Sequence, residues 1–299
     1  MAASPFLYLL TVLIWGTSWF AIKFQLGVVA PEVSLVYRFG LAAVVLLLFC
    51  RLTARPINFA LRDHGFVALQ AICLFSTNYL VFYHATGLLT SGLVAVVFSL
   101  VIFMNMFNQA LFLKRRVEPV VLLGAVFGLV GISLVFWPEL TATENSAAVQ
   151  KGFWLSVVAT YLASVGNIAS ARNQQAGLPV LQTNALGMAY GALVMLAYAL
   201  AAGSRFTYDW SWHYSASLLY LAVFGSIVAF GAYLTLIGRI GADRAAYATV
   251  IFPIVALVIS SWFEDFDWSP AALSGVGFVL VGNLLVTRRL HRKKRRVAR

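Results

Sequence analysis

The chain has 299 residues, 62% of them apolar and 10% charged, with a mean hydropathy of +0.88 and a formal charge of +11. That much apolar surface cannot be hidden in a water-soluble globule of this size, so the composition excludes an ordinary soluble domain. The positive charge does not point to nucleic acid, because the basic residues lie in short loops and a tail between apolar stretches.

Nearly uncharged windows of about twenty residues, the length a hydrocarbon layer of ~30 Å demands of a helix, recur along the chain. They number ten, at roughly 6–24, 33–50, 66–85, 91–112, 120–136, 153–171, 181–201, 214–237, 245–263 and 271–287. The first lacks a basic leader and a clean small-residue cleavage site, so it reads as a span and not as a signal peptide. Cys50 and Cys73 both fall inside spans, which suggests neither a disulfide framework nor a metal site. The expected fold is an all-α integral membrane protein of ten transmembrane helices, with no soluble domain at either end.

Charge then orients the spans. The even-numbered loops hold Arg51, Arg55, Arg62, Lys114, Arg115, Arg116, Arg172, Arg239 and Arg244, and the tail brings the basic total on that side to seventeen. The odd loops hold Lys151 and Arg205, with Lys23 at the border of the first, against seven acids that include Glu32, Glu264, Asp265 and Asp267. The positive-inside rule places both termini in the cytoplasm. The tail R-R-L-H-R-K-K-R-R is basic enough to lie against anionic head groups and anchor the topology.

One stretch occurs twice. Pro119–Val135 and Pro270–Val286 align without a gap at a shift of 151 residues, with nine of seventeen positions identical. Chance in this composition would give about two, so the match reads as internal duplication. The same shift pairs Gly87 with Gly238, Ala71 with Ala222 and Ala95 with Ala246. Five spans per copy is an odd number, so the two halves must be inverted relative to each other. The expected organisation is a first repeat at 1–136, an external connection at 137–152, a second repeat at 153–287 and a basic cytoplasmic tail at 288–299. Inverted repeats are the usual architecture of secondary transporters, with the site near midplane between the halves.

Two five-helix halves and the stretch G-A-D-R-A-A-Y-A-T-V-I-F-P-I at 241–254 resemble the EamA-type drug/metabolite transporter superfamily, and within it the YddG-type amino-acid exporters. The resemblance covers essentially the whole chain. It implies a cavity lined by spans one, three, four, six, eight and nine, and a hinge at Pro253. The family often places a proline in the fourth span as well, where the repeat partner of Pro253 is Ile102. Many relatives also carry a glutamate soon after the fourth span, where this chain has Lys114–Arg115–Arg116 and, later, Glu118.

Polar groups inside a membrane are costly and normally face a cavity or each other. In span three Ser76, Tyr79 and Tyr83 stand at i, i+3 and i+7 on one helical face, flanked by Asn78 and His84. Span six carries Thr160, Ser164 and Asn167 as a similar stripe, with Tyr161 beside it. Trp15 and Trp19 lie one turn apart in span one, Ser99 lies in span four, and Tyr247 and Thr249 in span nine. The candidate substrate-binding residues are therefore Trp15, Trp19, Ser76, Asn78, Tyr79, Tyr83, His84, Ser99, Tyr161, Ser164, Asn167 and Tyr247. Each also has a structural alternative. Membrane Ser and Thr often bond to their own i−4 carbonyl, and Trp and Tyr often sit at the interface. That second account is preferred for Trp137, Trp154, Trp210, Trp212, Trp262 and Trp268. Arg38 and Lys23 read as peripheral, snorkelling or pairing with Glu32.

Aromatic walls with scattered hydroxyls and amides, and no central fixed charge, suit a small zwitterion. The expected function is broad export of amino acids, aromatic and other neutral ones, by alternating access. No acid lies deep in a span, so movement is expected to be facilitated or only weakly proton-linked, with His84 as the buried candidate for any coupling. The alternative is efflux of planar cations or other small metabolites. A carrier of phosphorylated metabolites would want deep lysines or arginines, and an enzyme is disfavoured by the absence of catalytic motifs. Neither cofactor nor metal is implied, no nucleic acid is expected as a partner, and the lipid bilayer and a monomeric state are.

Overall fold

A computed structural model of the chain describes residues 3–113, 119–141, 146–240, 245 and 248–297, and these are helical with short connections and no strand. In chain order the elements are α1 (Ala3–Lys23), α2 (Pro31–Leu52), α3 (Leu61–Leu74), α4 (Thr77–Thr86), α5 (Ser91–Phe98), α6 (Val101–Leu113) and α7 (Pro119–Thr141). The second half has α8 (Ser146–Gln175), α9 (Val180–Ala201), α10 (Trp212–Tyr220), a π-helical segment (Leu221–Val228), α11 (Ala229–Ile240), α12 (Ala248–Phe263) and α13 (Pro270–Val297).

Among the described residues seven stretches are long and apolar enough to cross a bilayer: Pro5–Lys23, Pro31–Leu52, Leu61–Thr86, Ser91–Phe112, Ala147–Gln175, Val180–Ala201 and Trp212–Arg239. Shorter apolar helices cover Leu122–Pro138, Ile251–Phe263 and Pro270–Leu285. Prolines open α2, α7 and α13, where the missing N–H would have no partner in any case. Gly27, at φ +115°, supplies the left-handed backbone that turns α1 into α2. Helix α13 runs on to Val297, so the described part of the basic tail continues the last helix.

The long stretches are not all continuous helices. Leu61–Thr86 is broken at Phe75–Ser76, between α3 and α4, and Ser91–Phe112 is broken at Ser99–Leu100, between α5 and α6. In the second half the π-helical segment interrupts Trp212–Arg239. Moved back by 151 residues, Leu221–Val228 becomes 70–77, which contains the Phe75–Ser76 break. Corresponding spans of the two halves are thus disturbed at corresponding places. Hydropathy does not register such breaks, because an interrupted apolar helix has the same composition as a whole one. Lipid does not tolerate open backbone, so these irregular turns are confined to protein-lined space.

The duplicated stretch packs against its own copy. A Cβ on Gly131 would come within 2.5 Å of the Gly275 carbonyl oxygen, and one on Gly275 within 2.5 Å of the Gly131 oxygen. Gly282 would similarly meet the Gly124 oxygen at 2.6 Å. Under the 151-residue shift Gly124 corresponds to Gly275 and Gly131 to Gly282, so α7 and α13 meet antiparallel about a pseudo-two-fold axis. Small residues let the two backbones touch, which is how helices bind tightly where no hydrophobic effect separates helix from lipid. Helix α2 packs on α9, α1 on α11 and α12, and α8 on α3, α4 and α6, so each half is built against the other.

This seam makes a prediction. Gly131→Ala must push α7 and α13 apart and should destabilise the detergent-solubilised protein by about 1–3 kcal/mol, the usual cost of overpacking. Gly277→Ala, on the partner helix α13 with nothing within 4 Å of its Cβ, should leave the melting temperature unchanged. Equal melting of both variants would contradict the close-contact seam.

Candidate functional site

The breaks surround a cavity. Its walls are Trp15, Ser18, Trp19 and Ile22 of α1, Arg38 of α2, Leu74 of α3, Asn78, Tyr79 and Phe82 of α4, and Phe98 of α5. The second half adds Ala163 and Asn167 of α8, Phe230 and Tyr233 of α11 and Phe252 of α12. The space between these walls, about 540 Å³ with the open solvent at its mouth included, is on the scale of a small molecule and not of a macromolecule. Helix α2, which the resemblance does not include among the lining spans, contributes Arg38.

The rings hold one another in edge-on and tilted contacts, the favourable arrangement for aromatic quadrupoles. Trp15 lies 4.8 Å from Tyr233 and 5.2 Å from Phe230, and Trp19 lies 5.0 Å from Phe82 and 5.6 Å from Phe98. Tyr79 and Phe230 face each other across the halves at 6.3 Å. The wall is itself duplicated: the 151-residue shift carries Tyr79 and Phe82 onto Phe230 and Tyr233. Applied to the aromatic stripe of span three, that shift was the signal that could have found Phe230 and Tyr233 in the sequence.

Arg38 corrects the expectation of a cavity without a fixed charge. It is not peripheral and does not pair with Glu32, whose carboxylate accepts from Ser204. It is 1% exposed, and its Nε donates to Ser226 Oγ at 3.0 Å. The guanidinium carbon sits 4.4 Å from the centroid of Tyr79 and 5.2 Å from that of Phe39. Among the described residues lining the cavity it alone is charged. The phenols of Tyr79 and Tyr83 interact with it electrostatically, yet Nη1 makes no hydrogen bond of good geometry. The signal for Arg38 was its place inside an apolar span, where an ionisable group is by default a functional candidate.

The π-helical segment explains how Arg38 is held. Ser226 Oγ donates to the Leu221 carbonyl five residues back while accepting from Arg38, and Gly225 offers its carbonyl to Trp15 Nε1 at 3.4 Å. A Cβ on Gly225 would stand 3.4 Å from Arg38 Nη2 and 3.3 Å from Ser18 Oγ, leaving little slack beside the guanidinium. Single widened turns of this kind recur at functional sites because they re-aim backbone groups.

Of the sequence candidates, Trp15, Trp19, Asn78, Tyr79 and Asn167 are brought together on the cavity wall. The Asn78 side-chain oxygen has no partner, and Asn167 Nδ2 donates to Asn105 Oδ1 at 3.5 Å. Tyr83 is fully buried beside the wall. Ser76 and Ser99 lie at the helix breaks and donate to backbone, Ser76 to Ala71 and Ile72 and Ser99 to Val96. Ser164 accepts from Asn108 Nδ2 at 2.8 Å, a bond between α8 and α6. His84 and Tyr161 do not line the cavity: both are exposed, Tyr161 to 40%, because their helix faces turn outward. His84 is therefore not a buried proton site. Tyr247 lies outside the described residues. Pro253 is buried inside α12, next to the wall residue Phe252. Trp137, Trp154, Trp210, Trp212 and Trp262 are exposed, whereas Trp268 packs on Phe266.

Beyond Ile22, one end of the cavity is tied shut by a polar cluster. Lys23 Nζ lies 3.3 Å from Glu264 Oε1 and donates to the Leu89 carbonyl at 2.8 Å. Glu264 also accepts from the Ser91 N–H at 3.0 Å, from the Ser91 hydroxyl, and from Ser260 Oγ, which itself accepts from the Gly92 N–H at 2.8 Å. One carboxylate just past the end of α12 thus caps the N-terminus of α5 and pairs with the end of α1. Elsewhere Arg172 of α8 pairs with Asp63 of α3 at 2.7 Å. Loosening the first cluster should open that end. Glu264→Gln is expected to speed modification of an introduced Ile22→Cys by a membrane-impermeant maleimide, in a chain with Cys50 and Cys73 replaced by alanine. An unchanged rate would refute the latch.

The description "EamA-like transporter family" matches the chain twice, at residues 3–137 and 150–288. The "Uncharacterized inner membrane transporter YedA" of Escherichia coli K12 is 26% identical over 279 residues, covering 92% of this chain and 87% of that protein. "Protein PagO" of Salmonella typhimurium is 22% identical over 283 residues, covering 93% and 91%. The "Uncharacterized transporter YoaV" of Bacillus subtilis is 22% identical over 260 residues, covering 84% and 85%. A solved crystal structure superposes with a TM-score of 0.70 at 16% identity, over 97% of this chain and 99% of that chain, a likeness of fold alone. Matched by the family along nearly its whole length and built of apolar helices, the chain belongs to the EamA-like transporter family and is a multi-pass inner-membrane transporter.

Proposed function

We propose that the protein exports amino acids, aromatic and other neutral ones, by alternating access between two inverted five-span repeats, and that it has no enzymatic activity. All ten apolar stretches cross the membrane in this reading, both ends are cytoplasmic, and the Lys23–Glu264 end faces outward. The monomer, surrounded by lipid, is the transporting unit, and it has no nucleic-acid partner. The observation that carries the proposal is the cavity between the halves, walled by aromatic rings and supplied with Arg38, Asn78 and Asn167. Rings accept an apolar side chain, the guanidinium accepts a carboxylate, and the free Asn78 oxygen accepts an ammonium. Such a pocket discriminates weakly among similar side chains, since one methylene changes binding only modestly. Efflux of planar cations is the weaker reading, because Arg38 repels them and no acid among the described lining residues attracts them.

The test is counterflow in proteoliposomes loaded with unlabelled amino acids, with no imposed ion gradient. Labelled phenylalanine, methionine and threonine should enter and compete with one another, and a protonophore should leave the rate unchanged. Trp19→Ala should reduce phenylalanine counterflow at least roughly tenfold, equivalent to about 1.4 kcal/mol of lost ring contact. Movement of planar cations alone would give the function to the weaker reading.

A further inference from the structure

We infer that Arg38 is the carboxylate anchor of the cavity, and that the cargo is defined by one carboxylate joined to an apolar body, with the ammonium dispensable. This rests on the reading that the cavity carries the cargo.

A guanidinium keeps its proton at any physiological pH, so it cannot escape burial by neutralising. An unpaired buried cation is expensive, and proteins normally place a carboxylate beside it. Here, among the described residues, Arg38 forms no ion pair. What it has instead is the Ser226 hydroxyl, the faces of Tyr79 and Phe39, and the phenols of Tyr79 and Tyr83, which interact with it electrostatically. These compensate part of the charge and leave Nη1 buried without a hydrogen-bond partner, while Nε is committed to Ser226. A planar carboxylate entering the cavity that Arg38 lines is the group that would complete the fork, through charge-assisted hydrogen bonds.

The other end of the cargo is recognised far less strongly. A buried ammonium would want an anion, and among the described lining residues there is none. It would find one neutral amide oxygen, on Asn78, and ring faces, each a weaker partner than a carboxylate. Removing the ammonium from an aromatic amino acid therefore loses little, whereas removing the carboxylate charge leaves Arg38 unpaired and places a cation beside it.

Three ligands that share one ring separate these contributions: L-phenylalanine, 3-phenylpropionate, which lacks the ammonium, and L-phenylalaninamide, which lacks the carboxylate. Their binding to the purified full-length protein can be read from quenching of tryptophan fluorescence and from thermal shift. The expected result is that phenylalanine and 3-phenylpropionate bind within about threefold of each other and that the amide binds at least about tenfold more weakly. Arg38→Gln should weaken both carboxylates at least about tenfold and leave the amide bound as well as before or better, because the repulsion by the guanidinium is gone, with Arg38→Lys intermediate for the carboxylates because a point charge replaces the fork. The inference is overturned if the amide binds as well as phenylalanine, if neither carboxylate binds, or if a folded Arg38→Gln variant keeps wild-type affinity. The ligand series is measured on the unmodified protein, so it decides the matter even if the Arg38 variants fail to fold. If both carboxylates bind but no amino acid undergoes counterflow, the anchor stands and the amino-acid reading fails.

Discussion

A permanent cation buried in an apolar bundle must be held in place, and much of the local architecture around Arg38 serves that need. Burying it against Tyr79 and Phe39 recovers part of its lost hydration through the ring quadrupoles. Its Nε requires an acceptor, which Ser226 provides from the opposite half of the chain. Ser226 can do so because the π-helical segment shifts the register of span eight, giving the hydroxyl the Leu221 carbonyl as its own acceptor. The same widened turn leaves the Gly225 carbonyl for Trp15, so the indole that forms one wall and the cation that charges the cavity depend on one irregular stretch of backbone.

The duplication explains the apolar part of this site but not the polar part. Tyr79 and Phe82 have their counterparts in Phe230 and Tyr233, and the break before the first pair has its counterpart in the π-helical segment before the second. Arg38 corresponds to Ala189, Asn78 to Ala229 and Asn167 to Gly16, none of which offers a polar side chain. The symmetric part is what the two repeats share, and it gives the cavity a similar aromatic wall from each half. The asymmetric part gives the cavity a polarity, with its charge contributed by the first half alone.

Those two layers differ in how far the sequence disclosed them. The repeat and the apolar spans were legible because they rest on identities at a fixed shift and on the length of a hydrocarbon layer, both local properties. Trp15, Trp19, Asn78, Tyr79 and Asn167 stood out as central aromatic or polar residues, and they do meet at the cavity. His84 and Tyr161 shared their composition but turn outward, because helical facing depends on tertiary packing. Arg38 was misjudged for a related reason: proximity to a span end suggests snorkelling, and only the packing of α2 against its neighbours shows that the side chain turns inward. The helix breaks were illegible, since Phe75–Ser76 and Leu221–Val228 contain no proline and differ little from their surroundings.

The contacts between the halves also differ in how easily they could part. Lys23 keeps 30% of its side chain exposed, and ion pairs at such positions contribute only about 0–1 kcal/mol. The Gly131–Gly275 seam and the Arg38–Ser226 bond are buried, and parting them would strand a charge or open a void between backbones. Rocking of one half against the other would therefore have to pivot about the glycine seam and yield at the Glu264 cluster. Such a motion would leave the guanidinium and its π-helical support together, so a carboxylate bound from one side would meet the same anchor when released to the other.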